Sequence, residues 1–257
     1  MVKRVAFFLY GLFCYVLFLA TFVYAMGFVG DLLVPKSLDS GPVQPLGSSL
    51  AIDALLLTLF ALQHSVMARP GFKRWWTRLV PSVVERSTYV LFASAALALV
   101  MWQWRPLGGE VWAVESGAWR AVLYAVCAFG WALALVATSL INHFDLFGLR
   151  QVWLALIGRP YTQVRFGTPG LYRLVRHPLY LGFLCAFWAA PRMTVSHLVF
   201  ALATTAYILI AIQLEERDLV HEHGESYVAY RRSVPMLLPL GRRGGGAVTR
   251  ASPPASL

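Results

Sequence analysis

RHPLYLG (176–182) and LEERDLVHEHGESYVAYRRSVPMLLP (214–239) flank a long, mostly apolar run. Two carboxylates, Glu215 and Glu216, stand where that hydrophobic segment ends. Ionisable groups at a membrane boundary are costly unless they face a cavity or water, so such a pair marks a site. Pro178 suits the first turn of a helix, where its missing N–H costs nothing. It pushes His177, just before it, toward an extended conformation. The helix then starts with free N–H groups and a positive dipole end near Arg176 and His177, able to hold a carboxylate or a polar cofactor edge. Gly182 permits close approach by a backbone or ligand. A helix cap with a snorkelling Arg is the plainer reading of RHP. The Glu pair, returning to the level of His177, can pair with Arg176 or bind a ligand cation.

Working outward, the 257 residues are 58% hydrophobic and 13% charged, with mean hydropathy +0.62. That is too apolar for a soluble domain of this size. A bilayer span needs about 20 apolar residues. Residues 5–34 qualify, followed by spans near 48–67 (with Asp53 and His64), 86–104 and 118–141. The third ends in the aromatic MWQW (101–104), and the fourth starts near Trp119. RPGFKRWWTR (69–78) reads as a basic loop and 142–176 as a long polar loop. The 178–190 run reaches only about 20 Å as a helix, so 178–214 reads as a tight hairpin dipping into or just across the membrane. The expected fold is an all-α integral membrane protein: four spanning helices plus a C-terminal hairpin, five to six membrane segments in all. It divides into N-terminal transmembrane helices (1–141), a region of cytoplasmic loop, helical hairpin and C-terminal segment (142–240) and a disordered tail (241–257).

The net charge is +10, yet the basic residues lie between apolar runs, which points to lipid headgroups and topology. Only Lys36, Arg105, Arg120 and Arg192, of 22 Lys and Arg, fall in loops on the side opposite the N-terminus. Both termini, the 142–177 loop, the base of the hairpin and 215–239 are therefore expected in the cytoplasm.

Other features carry less. Cys14, Cys127 and Cys185 are an odd count without CxxC spacing, so neither disulfides nor zinc are expected. HEH (221–223) places its histidines on different helix faces, and no metal is expected. RWWTR (74–78) mixes basic and aromatic residues as single-strand nucleic-acid grooves do, but reads here as an interfacial loop, with no nucleic-acid partner. No Gly-rich loop follows a strand, which excludes a Rossmann cofactor domain. The run 5–34 is too long for a cleavable signal. NHFDLFGLR (142–150) supplies Asn142, His143, Asp145 and Arg150 at the cytoplasmic end of a span. His143 with Asp145 would form a base and its orienter; capping the fourth span is the alternative.

The motif pair resembles the C-terminal region of the isoprenylcysteine carboxyl methyltransferase superfamily. The matching positions are Arg176, His177, Pro178, Tyr180, Gly182, Glu215, Glu216, Gly224, Tyr227, Tyr230, Val234, Pro235 and Pro239. SLINHFDLFGLRQVW (139–153) and residues 193–220 further resemble the bacterial methanethiol S-methyltransferases, grouped with the nurim-like membrane proteins, over nearly the whole chain. The resemblance implies methyl transfer from S-adenosylmethionine to methanethiol, a small volatile thiol, giving dimethyl sulfide. It implies cofactor contacts at Tyr172, Arg176, His177, Pro178, Leu179, Tyr180, Glu215 and Glu216, with Gln163 and 164–167 beside them. Catalytic roles would fall to His143, Asp145 and Arg150, and Asn142 would touch substrate. Carboxyl methyltransferases carry an Arg four residues before the Glu pair; Ala211 stands there, which suits a neutral thiol. The alternatives are a larger lipid-borne thiol, amine or carboxylate as acceptor, and a non-enzymatic nurim-like protein.

Overall fold

The computed structural model describes residues 1–164 and 166–239; the tail expected to be disordered lies outside them. In chain order the elements are α1 (Val2–Gly30), α2 (Leu46–Ala68), α3 (Pro70–Trp76), α4 (Ser82–Gln103), β1 (Glu110–Ala113), α5 (Gly117–Ile141), α6 (His143–Leu146), α7 (Leu149–Leu156), α8 (Pro178–Trp188), β2 (Arg192–Thr194), α9 (Val195–His223) and α10 (Glu225–Ser233). Among the described residues five helices, α1, α2, α4, α5 and α9, are long and apolar enough to cross a membrane. Their exposed faces are greasy: Leu9, Phe13 and Val16 on α1, and Leu55, Leu59 and Leu62 on α2, all face outward. Spacings of three and four put such residues on one helix face. An apolar outer face is what lipid solvates, and the chain is an integral membrane protein.

Three expectations need correction. The basic 69–78 loop contains α3, with Pro70 at its first position. The 142–176 loop contains α6, α7 and a 3-10 turn, Gly170–Arg173. Of the two readings of the hairpin the crossing one holds, but its second arm does not end at 214: α9 is a full-length helix of 29 residues that runs on to His223. Its first arm, α8, has 11 residues, about 16 Å of helix, and the extended 189–194 segment carries the chain onward. There β2 pairs antiparallel with β1, matching Glu110 with Thr194 and Ala113 with Arg192. The Trp112 indole donates to the Ala190 carbonyl at 3.1 Å. The hairpin turn therefore reaches the same face as the end of α4. We call this the β face; the opposite, basic face carries the N-terminus, α3, α6, α7 and α10.

Packing between spans relies on small residues, because lipid removes the hydrophobic drive for helices to associate. A Cβ built on Gly130 of α5 would sit 2.5 Å from the Gly182 carbonyl oxygen of α8, and one on Gly182 would sit 2.6 Å from that of Gly130. The close approach read from Gly182 is thus to the α5 backbone. Nearer the β face, Trp104 meets Phe28 and Phe200 edge-on, with centroids 6.4 and 5.8 Å apart, a favoured aromatic geometry. Thr194 caps α9, accepting from the His197 amide at 3.0 Å. On the basic face Arg69 bridges to Asp218 at 2.8 Å, tying the end of α2 to α9.

Candidate functional site

The two motifs meet at the basic face. His177 leaves the helical region (φ −126°, ψ 63°) and Pro178 begins α8. The His177 amide donates to the Met236 carbonyl and the Arg176 amide to that of Pro235, so the chain after α10 is laced to the start of α8. Arg176 donates through Nε to Glu216 at 2.7 Å and through its terminal nitrogen to the Arg231 and Val234 carbonyls. His177 Nε2 lies 3.0 Å from the same Glu216 oxygen. Glu216 and His177 are both buried. These three side chains are engaged with one another and with backbone, and they form a floor. Glu215 and Glu216 do return to the level of His177, but inside α9, which continues to His223.

Beside this floor lie groups with capacity left. Glu215 accepts from the Tyr180 hydroxyl at 2.9 Å through one oxygen and is only half-buried. Tyr227 is 2% exposed, and its hydroxyl has no hydrogen-bond partner among the described residues. Burial, with Glu216 nearby, pushes that phenol's pKa up, so it stays a donor. Phe166 packs on His223, Tyr227 and Tyr230. Tyr230 donates to the Tyr172 carbonyl, and Tyr172 reaches the Ala137 carbonyl at 3.4 Å. Gln163, exposed, bonds Glu222. A carboxylate, an unpartnered buried hydroxyl and an aromatic wall fit S-adenosylmethionine, which is cationic at sulfur, polar at its ribose and flat at its adenine.

Above the floor a cavity of about 320 Å³ runs among α1, α2, α4, α5, α8 and α9. Among the described residues its lining contains no Asp, Glu, Lys or Arg. Leu179 and Tyr180 line it, and so does His143, so the cavity touches both the cofactor motif and the 142–150 stretch.

The expected dyad of His143 and Asp145 is not formed. Two residues apart on a one-turn helix, the side chains point different ways. Asp145 pairs with Arg150 at 2.9 Å and accepts from the Tyr161 hydroxyl; Arg150 also holds Thr162. Asn142 caps α6, accepting from the Asp145 amide at 3.2 Å. His143 instead has Tyr15 Oη 2.9 Å from Nε2 and Thr138 Oγ1 2.9 Å from Nδ1. Thr138 donates its one hydrogen to the Leu135 carbonyl at 2.8 Å. It therefore accepts from Nδ1–H, and Tyr15 donates to Nε2. Burial lowers the His143 pKa, favouring the neutral ring.

Sequence reading gave no role to a second polar group on the cavity wall. His64 of α2 lies 3.0 Å from the Tyr89 hydroxyl of α4 and stacks on Phe60, centroids 5.3 Å apart. Tyr207 of α9 joins them through Ser65 at 3.1 Å. One hydroxyl hydrogen serves at most one ring nitrogen of His64. The available signal was an ionisable residue inside an apolar span.

No family model and no solved structure matches the chain. Among curated proteins it is 58% identical to a methanethiol S-methyltransferase of Crocosphaera subtropica, over 90% of this chain and 91% of that one. It is 54% identical to a methanethiol S-methyltransferase of Mycobacterium tuberculosis, over 94% and 99%. Nurim of Mus musculus is 32% identical over 67% of this chain and 68% of its own. At these identities and coverages, the chain belongs to the methanethiol S-methyltransferase family.

Proposed function

We propose that this protein transfers a methyl group from S-adenosylmethionine to methanethiol, releasing dimethyl sulfide. The observation that carries the reading is the junction at Tyr180: one side chain faces an uncharged cavity and hydrogen-bonds Glu215 of the cofactor motif. When bound, the cofactor supplies a methyl already activated by its sulfonium. The protein's task is then to align the partners, exclude water and accept a proton.

Arg176, His177 and Glu216 fix the backbone of Pro178, Leu179 and Tyr180 against α9. Glu215, Tyr180, Tyr172, Tyr227 and Gln163 would hold the donor. The apolar cavity takes the acceptor. It suits a neutral thiol, since an acceptor carboxylate would be buried there without a cation. Ala211 lies one helical turn from both Tyr207 and Glu215 on α9 and adds no charge between them. Thiolate is the nucleophile, and a free Cys thiol has a pKa of only about 8.5, so a base on the wall helps. His64 takes that role, with the Tyr89 hydroxyl as the partner of its ring among the described residues. His143 has both nitrogens engaged and shapes the wall; Asp145, Arg150 and Asn142 hold the loop beneath it. The basic face is assigned to the cytoplasm by its Lys and Arg excess.

The test is purified protein with S-adenosylmethionine and methanethiol, followed by headspace chromatography. Dimethyl sulfide above the protein-free rate is the expected result. Cofactor binding without dimethyl sulfide would move the acceptor elsewhere, and no cofactor binding would leave a scaffold.

A further inference from the structure

The cavity is much larger than methanethiol. A water's share of liquid volume is about 30 Å³, so about 320 Å³ holds on the order of ten such units, and methanethiol has two heavy atoms. A site cut to that thiol would fill the space between Tyr180 and the β face with large side chains. Ala25, Ala93, Ser94 and Ala134 present short ones instead. The lining bears no charge, so the zwitterionic and cationic parts of the methyl donor do not belong in it. His64, Tyr89, Tyr180 and Tyr207 gather their hydroxyl and imidazole groups on the wall toward the basic face, where a sulfur would sit. The far end, around Ala25, Phe28, Val29 and Met101, is apolar except for Thr21, whose hydroxyl is spent on the Leu17 carbonyl at 2.8 Å, and so suits an alkyl tail.

Resting on the methyltransferase reading, we infer that the acceptor site takes apolar thiols several carbons longer than methanethiol and methylates them. The thiol sulfur forms one new S–CH₃ bond and the sulfonium–CH₃ bond breaks. The donor keeps that electron pair as a neutral thioether, and the thiol proton passes to solvent. An apolar pocket with room does not reject an added methylene; burying one favours binding about four-fold.

The experiment compares methanethiol, ethanethiol and 1-butanethiol with S-adenosylmethionine, measuring each methyl sulfide by gas chromatography. kcat/KM is expected to rise about four-fold per methylene through 1-butanethiol. Ala25→Phe, filling the apolar end, should lower the butanethiol-to-methanethiol ratio of kcat/KM at least ten-fold; Ala25→Leu serves if the larger variant fails to fold. Without methyl donor, n-butyl methyl sulfide should raise the thermal midpoint of the native protein and not of the Ala25 variant. Because partition into detergent is equal for both proteins, the ratio isolates the cavity. Butanethiol below one hundredth of methanethiol, or an unchanged ratio in both Ala25 variants, overturns the inference while leaving methanethiol transfer standing. No product from any thiol overturns both.

Discussion

The floor at the basic face and the cavity above it are built on opposite principles. The floor is a set of polar side chains gathered on one carboxylate: Glu216 alone takes Arg176 at 2.7 Å and His177 at 3.0 Å, with Arg231 at 3.7 Å. The cavity has no Asp, Glu, Lys or Arg among the described residues of its lining and is walled by side chains from seven helices, α1, α2, α4, α5, α6, α8 and α9. A group on the floor is held by named partners, so its loss strands others. A group on the cavity wall is one of many, so its loss changes chemistry or shape while the bundle survives. Reactivity and architecture are thereby separated within a few helical turns.

The largest expected effect comes from breaking the floor. Glu216→Ala leaves buried His177 and partly buried Arg176 without their carboxylate. Breaking such a buried pair costs about 3–5 kcal/mol, so methyl transfer should fall more than a thousand-fold, with a lowered thermal midpoint. His64→Ala is the contrasting cavity change. Losing a general base costs about 10²–10⁴-fold, and here the expected loss is about 100-fold in kcat/KM with cofactor affinity unchanged by titration. Equal losses of stability in the two variants would erase the distinction between floor and wall.

Smaller effects sharpen it. His143→Ala, with both ring nitrogens already engaged, should lower activity less than about ten-fold, below the range of a lost general base. Its titration has a defined sign. Burial lowers the folded-state pKa of His143, so in the acid range the unfolded state binds more protons. Its contribution is complete above the ordinary histidine pKa of about 6.5 and declines as pH falls below that value. The thermal midpoint should hold from pH 8 to 7 and drop on acidification, less steeply in His143→Asn. Asp145→Asn should be the mildest: its pair with Arg150 is partly exposed, and such pairs contribute about 0–1 kcal/mol. Its activity should stay within about two-fold, read in the same headspace assay.

The contrast also explains what the sequence told. The floor was legible because its members sit in two short motifs, and Pro178 and the Glu pair announce a helix start and a charged boundary. The spans were legible to within a few residues because lipid imposes length and apolarity. α9 was read as ending at Glu215 because charges end a bilayer segment, yet the helix itself runs on to His223 once it leaves the apolar zone. β1 has four exposed residues and no alternation, so nothing local marked it. The cavity was invisible because Phe22, His64, Tyr89, Trp131, Tyr180 and Tyr207 come from six different helices. The pairing of His143 with Asp145 failed because nearness in sequence was taken for nearness in space.

One measurement bears most directly on the account. Purified protein is given S-adenosylmethionine with a trideuterated methyl group and unlabelled methanethiol, and volatile and soluble products are quantified together. The account requires dimethyl sulfide carrying three deuteriums, formed one-to-one with S-adenosylhomocysteine. S-adenosylhomocysteine released without labelled dimethyl sulfide, or no turnover by a protein that binds the cofactor, would contradict it.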